Sequence, residues 1–331
     1  MGAKKKNLSP AKQREAIAQA ARIAAVPVEK PQQWTKWEYK VAQLSGRDYE
    51  KIKAGWLAHI PEISPPGSPP NSTVGDIASI AEAMSRVGAA GSLSEPHSGA
   101  RPAVLNEAFY LAHKAIHVAA ICSAAIKRGN PTWSAVDAYQ ASLFALGSVM
   151  AFLGLVVDRD ANDFMVVDVW TSVEAGSTKR YPTEEKYHFV RFKSLDHFHK
   201  WAILKRVLVT LKSKSKLANL LCASISELDD KAFSRHRNTV HYDSGGWLAR
   251  DLLAEDTAGP VKQAKTAEEF FLAISEGTVC GSVYLMCALI ELACEFAADL
   301  SGSQVLAEEL RLLERRRQAM QTFIGFEWVS I

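Results

Sequence analysis

Residues 234–242, Ser-Arg-His-Arg-Asn-Thr-Val-His-Tyr, crowd phosphate-binding and proton-transferring side chains into nine positions. On a helix turning by about 100° per residue, its polar groups gather on one side. Arg237 and His241 are four apart and nearly aligned, and Asn238 lies three before His241. Ser234 sits behind on the same side, Arg235 and Tyr242 complete the arc, and His236 follows Arg235 directly. Phe233 and Val240 fall elsewhere and can face a core.

The chemistry open to such a surface is phosphodiester cleavage. A guanidinium grips phosphate oxygens through a rigid fork of donors and stabilises charge that builds in the transition state. An imidazole with an ordinary pKa near about 6.5 gives or takes a proton at neutral pH. RNA carries its own nucleophile, the 2′-hydroxyl, so neither metal nor cofactor is expected. One imidazole serves one side of the scissile bond; a second copy of the helix from a symmetry mate would serve the other. The alternative is a solvated helix face, because Arg and His near a helix C-terminus are favoured by its dipole and Asp243 can pair with either.

The elements around this segment read as helices. The 331 residues are 48 % hydrophobic and 23 % charged with a net charge of +3, which excludes full-length disorder. Five dispersed cysteines (122, 222, 280, 287 and 294) form no disulfide framework, and the last three, seven apart, read as buried thiols on one helical stripe. Residues 1–60 carry twelve Lys/Arg against five Asp/Glu, whereas the remaining residues carry 27 against 31. This basic helical N-terminal segment points to an anionic partner. Residues 61–100 form a Pro/Gly/Ser-rich linker, with five prolines between 61 and 70 and a short helix at 76–87.

From residue 101 the pattern predicts long helices over 103–128, 132–157, 195–221, 226–242 and 266–300, and a closing helix over 305–321. Gly129-Asn130-Pro131 separates the first pair, with Thr132 as the expected cap, and a capping box is expected at 266–269. Strand-like runs at 164–170 and 187–192 predict a hairpin inserted at about 160–194. The fold class expected is all-α: an antiparallel four- to five-helix bundle over 101–302 with a small β-hairpin, followed by a C-terminal helix over 303–331. The apolar run 141–157 is shorter than a membrane span and reads as a buried core helix, so a cytoplasmic protein without membrane contact is expected.

Other signals have plainer readings. His113 and His117 stand at a zinc-compatible spacing, but Lys114 occupies the place of a metalloprotease glutamate, and a core or interface role is expected. His197 and His199 flank Phe198 and read as surface residues within reach of a phosphate. Lys212, Lys214 and Lys216 either widen a basic surface or form a solvated face. Trp34, Trp37, Tyr39, Tyr49 and Trp56 among lysines either stack on RNA bases or pack into a small helical unit. Gly245-Gly246 reads as a helix breaker.

Arg235, five intervening residues and His241, with His236 in the polar place after the arginine, resemble the motif of the HEPN superfamily of helical nucleotide-binding and ribonuclease domains. The resemblance spans about residues 101–300 by architecture and about seven residues by motif. It implies a homodimer whose motif helices meet to form one composite ribonuclease site leaving 2′,3′-cyclic phosphate ends. It also implies the setting of a toxin or phage-defence effector, with control by a regulatory protein partner or by the N-terminal segment. Either Arg235 or Arg237 would clamp the phosphate, and His241 would act as general acid or base. Asn238 and His236 would position the nucleophile or the imidazole, and Ser234 and Tyr242 would touch substrate. The alternative within the same resemblance is a non-catalytic module that binds a nucleotide, RNA or a protein.

Overall fold

The computed structural model describes residues 44, 48–59, 90–93, 100–160, 163–173, 180–182, 187–192, 197–211, 215–226, 228, 229, 231–242, 266–275, 279–301 and 306–324. The helices among them are α1 (Tyr49–His59), α2 (Ala100–Lys127), α3 (Pro131–Phe152), α4 (His197–Leu211), α5 (Lys216–Ser226), α6 (Ala232–Tyr242), α7 (Ala267–Ser275), α8 (Val279–Ala298) and α9 (Ala307–Ile324). The strands are β1 (Ala90–Leu93), β2 (Leu155–Asp160), β3 (Asp163–Asp168), β4 (Thr171–Val173), β5 (Arg180–Pro182) and β6 (Tyr187–Phe192). The protein is mostly helical with a small antiparallel sheet. The residues of the short helix expected at 76–87, the first 43 residues and the Gly245-Gly246 breaker lie outside the described residues.

Three consecutive residues turn α2 into α3. Gly129 adopts a φ of 67°, a left-handed value that glycine tolerates without strain. Gly129 and Asn130 donate back to the carbonyls of Ile126 and Ala125, closing the end of α2. The Asn130 side chain then accepts from Trp133 N at 3.3 Å, and Pro131 occupies the first helical position. The cap is therefore Asn130 and not Thr132, because proline has no N–H to lose at that place. The antiparallel pair pack along most of their length, and α3 also packs against α8 and α6. Alanines at 108, 112, 115, 119, 138, 141 and 145 are fully or almost fully buried, which lets the backbones approach.

Helix α3 stops at residue 152, short of the 157 expected. Gly154 takes a φ of 79°, and the β-branched Val156-Val157 that follows enters β2. The run 141–157 is thus a helix and a strand, not one core helix. The inserted hairpin likewise is part of a larger structure: four strands in the order β1-β6-β3-β2, all antiparallel, plus the separate pair β4-β5. β1, from the stretch expected to be linker, pairs Ala90 with Val190 and Leu93 with Tyr187. Two further expected helices are divided. The third becomes α4 and α5, where Ser215 Oγ accepts from Ala218 N at 3.0 Å and donates to Glu295 at 2.9 Å. The fifth becomes α7 and α8; Thr266 Oγ1 accepts from Glu269 N at 3.1 Å at the start of α7.

α1 belongs to the same core as the other helices. Trp56 is 1 % exposed, donates from Nε1 to the Phe152 carbonyl at 2.6 Å, and meets Trp170 edge-on at 4.9 Å. Tyr49 packs on Phe296 and donates to Asp299 at 2.8 Å. These two aromatics stack inside the fold; Trp34, Trp37 and Tyr39 lie outside the described residues. Cys122 and Cys287 are buried, burial pushes their thiols and that of Cys294 up, and the side chain of Cys280 lies outside the described residues.

The expectation of a cytoplasmic protein is overturned. By length and composition, three described helices are long and apolar enough to cross a membrane: Arg101–Lys127, Thr132–Phe152 and Gly281–Ala298. Their most apolar stretches are 44 %, 67 % and 78 % buried inside the protein, so α2 keeps the most open face. Glu107 and Lys114 interrupt the apolar pattern of α2, and Ser282 and Glu291 that of α8, so neither reads as one continuous apolar run.

Candidate functional site

α6 begins from an acidic turn. Asp229 accepts from the backbone N–H of Lys231 at 3.1 Å, and its carbonyl accepts from Ala232 N at 2.8 Å. The Lys231 N–H and then the Arg235 guanidinium hold its carboxyl below the usual carboxylate range. An acid here also meets the positive end of the helix dipole. Ser234 Oγ donates to the Lys231 carbonyl at 3.0 Å, which turns that hydroxyl to the backbone.

The two arginines stand at opposite edges of the polar arc. Residues two positions apart on a helix point about 200° from one another, so one edge of the arc meets the fold and the other meets solvent. Arg235 Nη2 pairs with Asp229 Oδ2 at 2.8 Å, with both side chains more than half exposed. Arg237 lies against α3: its guanidinium carbon is 6.0 Å from the centroid of the Tyr139 ring and 5.5 Å from that of Tyr242. Its Nη1 donates to Asn238 Oδ1 at 2.8 Å, which aims the fork. Tyr242 is 69 % exposed, and Asn238 is also exposed.

Tyr139 brings a residue from a third element. Its hydroxyl is 3.0 Å from Nδ1 of His197, at the first turn of α4. Burial pushes the Tyr139 hydroxyl up, while Trp201 and the Arg237 charge draw it down. Lys231 Nζ stands 5.1 Å over the Phe198 ring, Phe198 stacks against His199, and burial pulls the Lys200 ammonium down. Lys205 donates to the Leu228 carbonyl, tying α4 to the turn before α6. Arg237 from α6 and His197 from α4 therefore meet at Tyr139, within α3.

Of the residues expected from sequence, Arg237, Asn238 and Tyr242 come together, and Arg235 turns to Asp229. The side chains of His236 and His241 lie outside the described residues, though the backbone of both is helical. Tyr139 is the member that spacing within residues 234–242 misses. It sits in a largely apolar helix, and only the packing of α6 and α4 on α3 gives it partners. His197 carries a faint signal as a histidine at the start of a helix among aromatic and basic residues.

His113 and His117 part company. His113 Nε2 meets Glu309 Oε1 at 2.5 Å in a buried pair between α2 and α9, and His117 is exposed. Among the described residues no group of three or more His, Cys, Asp or Glu is placed to hold a metal ion. Lys212 and Lys214 lie outside the described residues, and Lys216 is exposed at the start of α5. Compared with known proteins, the chain matches no family model, no curated protein and no solved structure.

Proposed function

We propose that the chain is a metal-independent endoribonuclease of HEPN type, with α6 as its motif helix on an antiparallel four- to five-helix bundle. The observation that carries this reading is the set of groups around Arg237. Its guanidinium is aimed by Asn238 and packed on Tyr139, whose hydroxyl reaches His197. A pre-aimed cation beside a titratable imidazole suits a reaction in which negative charge grows on phosphate oxygens.

In that reaction the RNA 2′-oxygen attacks the adjacent phosphorus after losing its proton to a base. The P–O5′ bond breaks, and an acid protonates the departing 5′-oxygen, leaving a 2′,3′-cyclic phosphate and a 5′-hydroxyl. Arg237 holds the non-bridging oxygens. His241, four residues on and nearly aligned with Arg237, moves one of the protons. α6 packs chiefly on α3, which supports a homodimer formed through its outer side. Arg235 and Tyr242, exposed at the outer edge, then lie where a second copy and the neighbouring phosphate would meet them. His236 and Ser234 support the helix and substrate at the margins. A toxin or phage-defence effector controlled by a partner protein is the setting proposed.

The test incubates RNA with the wild-type chain and with His241→Ala in excess chelator. Cleavage by wild type to cyclic-phosphate ends, lost in the variant, is expected; equal cleavage by both, or cleavage only with added metal, overturns the proposal. A second reading is favoured by the Arg235–Asp229 pair, which occupies the arginine at the family spacing. It makes the bundle a non-catalytic module for a nucleotide, RNA or protein, and predicts ligand-dependent thermal stabilisation with RNA left intact.

A further inference from the structure

α2 and α9 meet along two matching stripes that leave a cleft of about 400 Å³. From α2 come His113, Lys114, Ile116, His117 and Ala120, with 113, 116, 117 and 120 one above another on a single face. From α9 come Arg316, Ala319 and Met320. The small side chains of Ala120 and Ala319 leave room between helices that are otherwise clamped together. The clamps are the buried His113–Glu309 pair to α2 and the Arg317–Glu291 ion pair to α8, at 2.8 Å.

The lining has two parts. Ile116, Ala120, Ala319 and Met320 make an aliphatic wall, and His117 and Arg316 supply basic groups, while the Lys114 ammonium sits 4.2 Å over the Phe144 ring. No acidic side chain lines the cleft among the described residues. Glu309 is engaged by His113 Nε2, and Glu107, two turns before Lys114, feels the Lys114 charge. His113 is 8 % exposed, and among the described residues its Nδ1 meets no hydrogen-bond partner. No aromatic side chain lines the cleft on which a base could stack.

We propose that this cleft binds a single-chain aliphatic carboxylate, its acyl chain along the Ile116–Met320 wall and its carboxylate on Arg316 and His117. The volume lies in the range of small-molecule sites, about 300–1,000 Å³. The Arg316 fork suits a carboxylate, and aliphatic walls suit an acyl chain better than a nucleobase. This site is separate from the α6 arc and stands whether or not that arc cuts RNA.

The test titrates the full chain with decanoate below its micellar concentration, by calorimetry, beside decyl maltoside and adenosine monophosphate. Saturable binding of one decanoate per chain is expected, with no binding of the neutral amphiphile or the nucleotide. Arg316→Ala should weaken it about tenfold, the size expected for one lost charge-assisted contact. Ala319→Trp, which fills the cleft from an exposed position, should abolish it. The melting temperature of each variant shows whether it is folded, and Arg316→Lys, partly restoring affinity, carries the test if Ala319→Trp is not. No saturable binding, equal affinity in folded variants, equal binding of the neutral amphiphile, or uptake only by anionic phospholipid vesicles overturns the proposal.

Discussion

The Tyr139 hydroxyl meets Nδ1 of His197 at 3.0 Å, joining the middle of α3 to the first turn of α4 beneath the Arg237 guanidinium. If this pair orients the imidazole for phosphate chemistry, Tyr139→Phe should cost about 1 kcal/mol of stability. RNA cleavage should fall further, by about tenfold or more, because a misoriented imidazole transfers protons poorly. Thermal melting and a cleavage time course on the same sample separate the two effects. A variant that melts earlier yet cuts at the wild-type rate would confine the pair to a structural role.

Arg237 and Arg235 should not be equivalent. Arg237→Ala removes the cation packed on Tyr139 and is expected to lower cleavage at least about a hundredfold, the scale of a lost transition-state donor. Arg235→Ala breaks only an exposed ion pair with Asp229 and should change melting little. Its effect on RNA should show mainly in affinity at low salt. Single-turnover rates across a salt series check both statements, and the opposite ranking would make Arg235 the functional arginine.

Trp56 should anchor the N-terminal segment to the fold. Trp56→Ala leaves a cavity beside Trp170 and is expected to cost about 3–5 kcal/mol, whereas Trp56→Phe, losing the bond to the Phe152 carbonyl, should cost about 1–3 kcal/mol. Deleting residues 1–60 removes Tyr49 and Ile52 from the core as well and should destabilise the remainder. Gly154→Ala presses on the same spot from the other side: φ is 79°, and a Cβ there would come 2.5 Å from Trp170. Urea unfolding of the four variants measures this, and a fully stable deletion would overturn the assignment.

Two half-buried glutamates give stability an acidic bias. Burial holds Glu107 and Glu295 above the usual carboxylate range, with Lys114 and Ser215 offsetting only part of the effect. An acid with a raised folded pKa binds its proton more tightly when folded. Its contribution is present at low pH and is lost as pH rises from about 4.3, the unfolded value, through the raised one. Asp229, held low, acts oppositely, losing its contribution as pH falls through its depressed value. Melting temperatures between about pH 4 and about pH 7 should therefore decline less steeply in Glu107→Gln/Glu295→Gln than in wild type. Identical slopes would show that neither carboxyl titrates in this range.

Residue spacing along the chain reveals the long helices, the Gly-Asn-Pro turn, the strand character of 187–192 and the helical placement of the 234–242 polar arc. All of these are local, set by periodicity, caps and backbone preference within a turn or two. The breaks at Gly154, near Ser215 and after α7 are harder to see, because short polar or glycine interruptions also occur inside continuous helices. The four-stranded sheet, the burial of Trp56 and the meeting of Arg237 with Tyr139 and His197 depend on segments tens to about a hundred residues apart. Such contacts come from helix packing and strand pairing, in which side chains distant along the chain share one volume, and no periodicity along the sequence encodes which of them will touch.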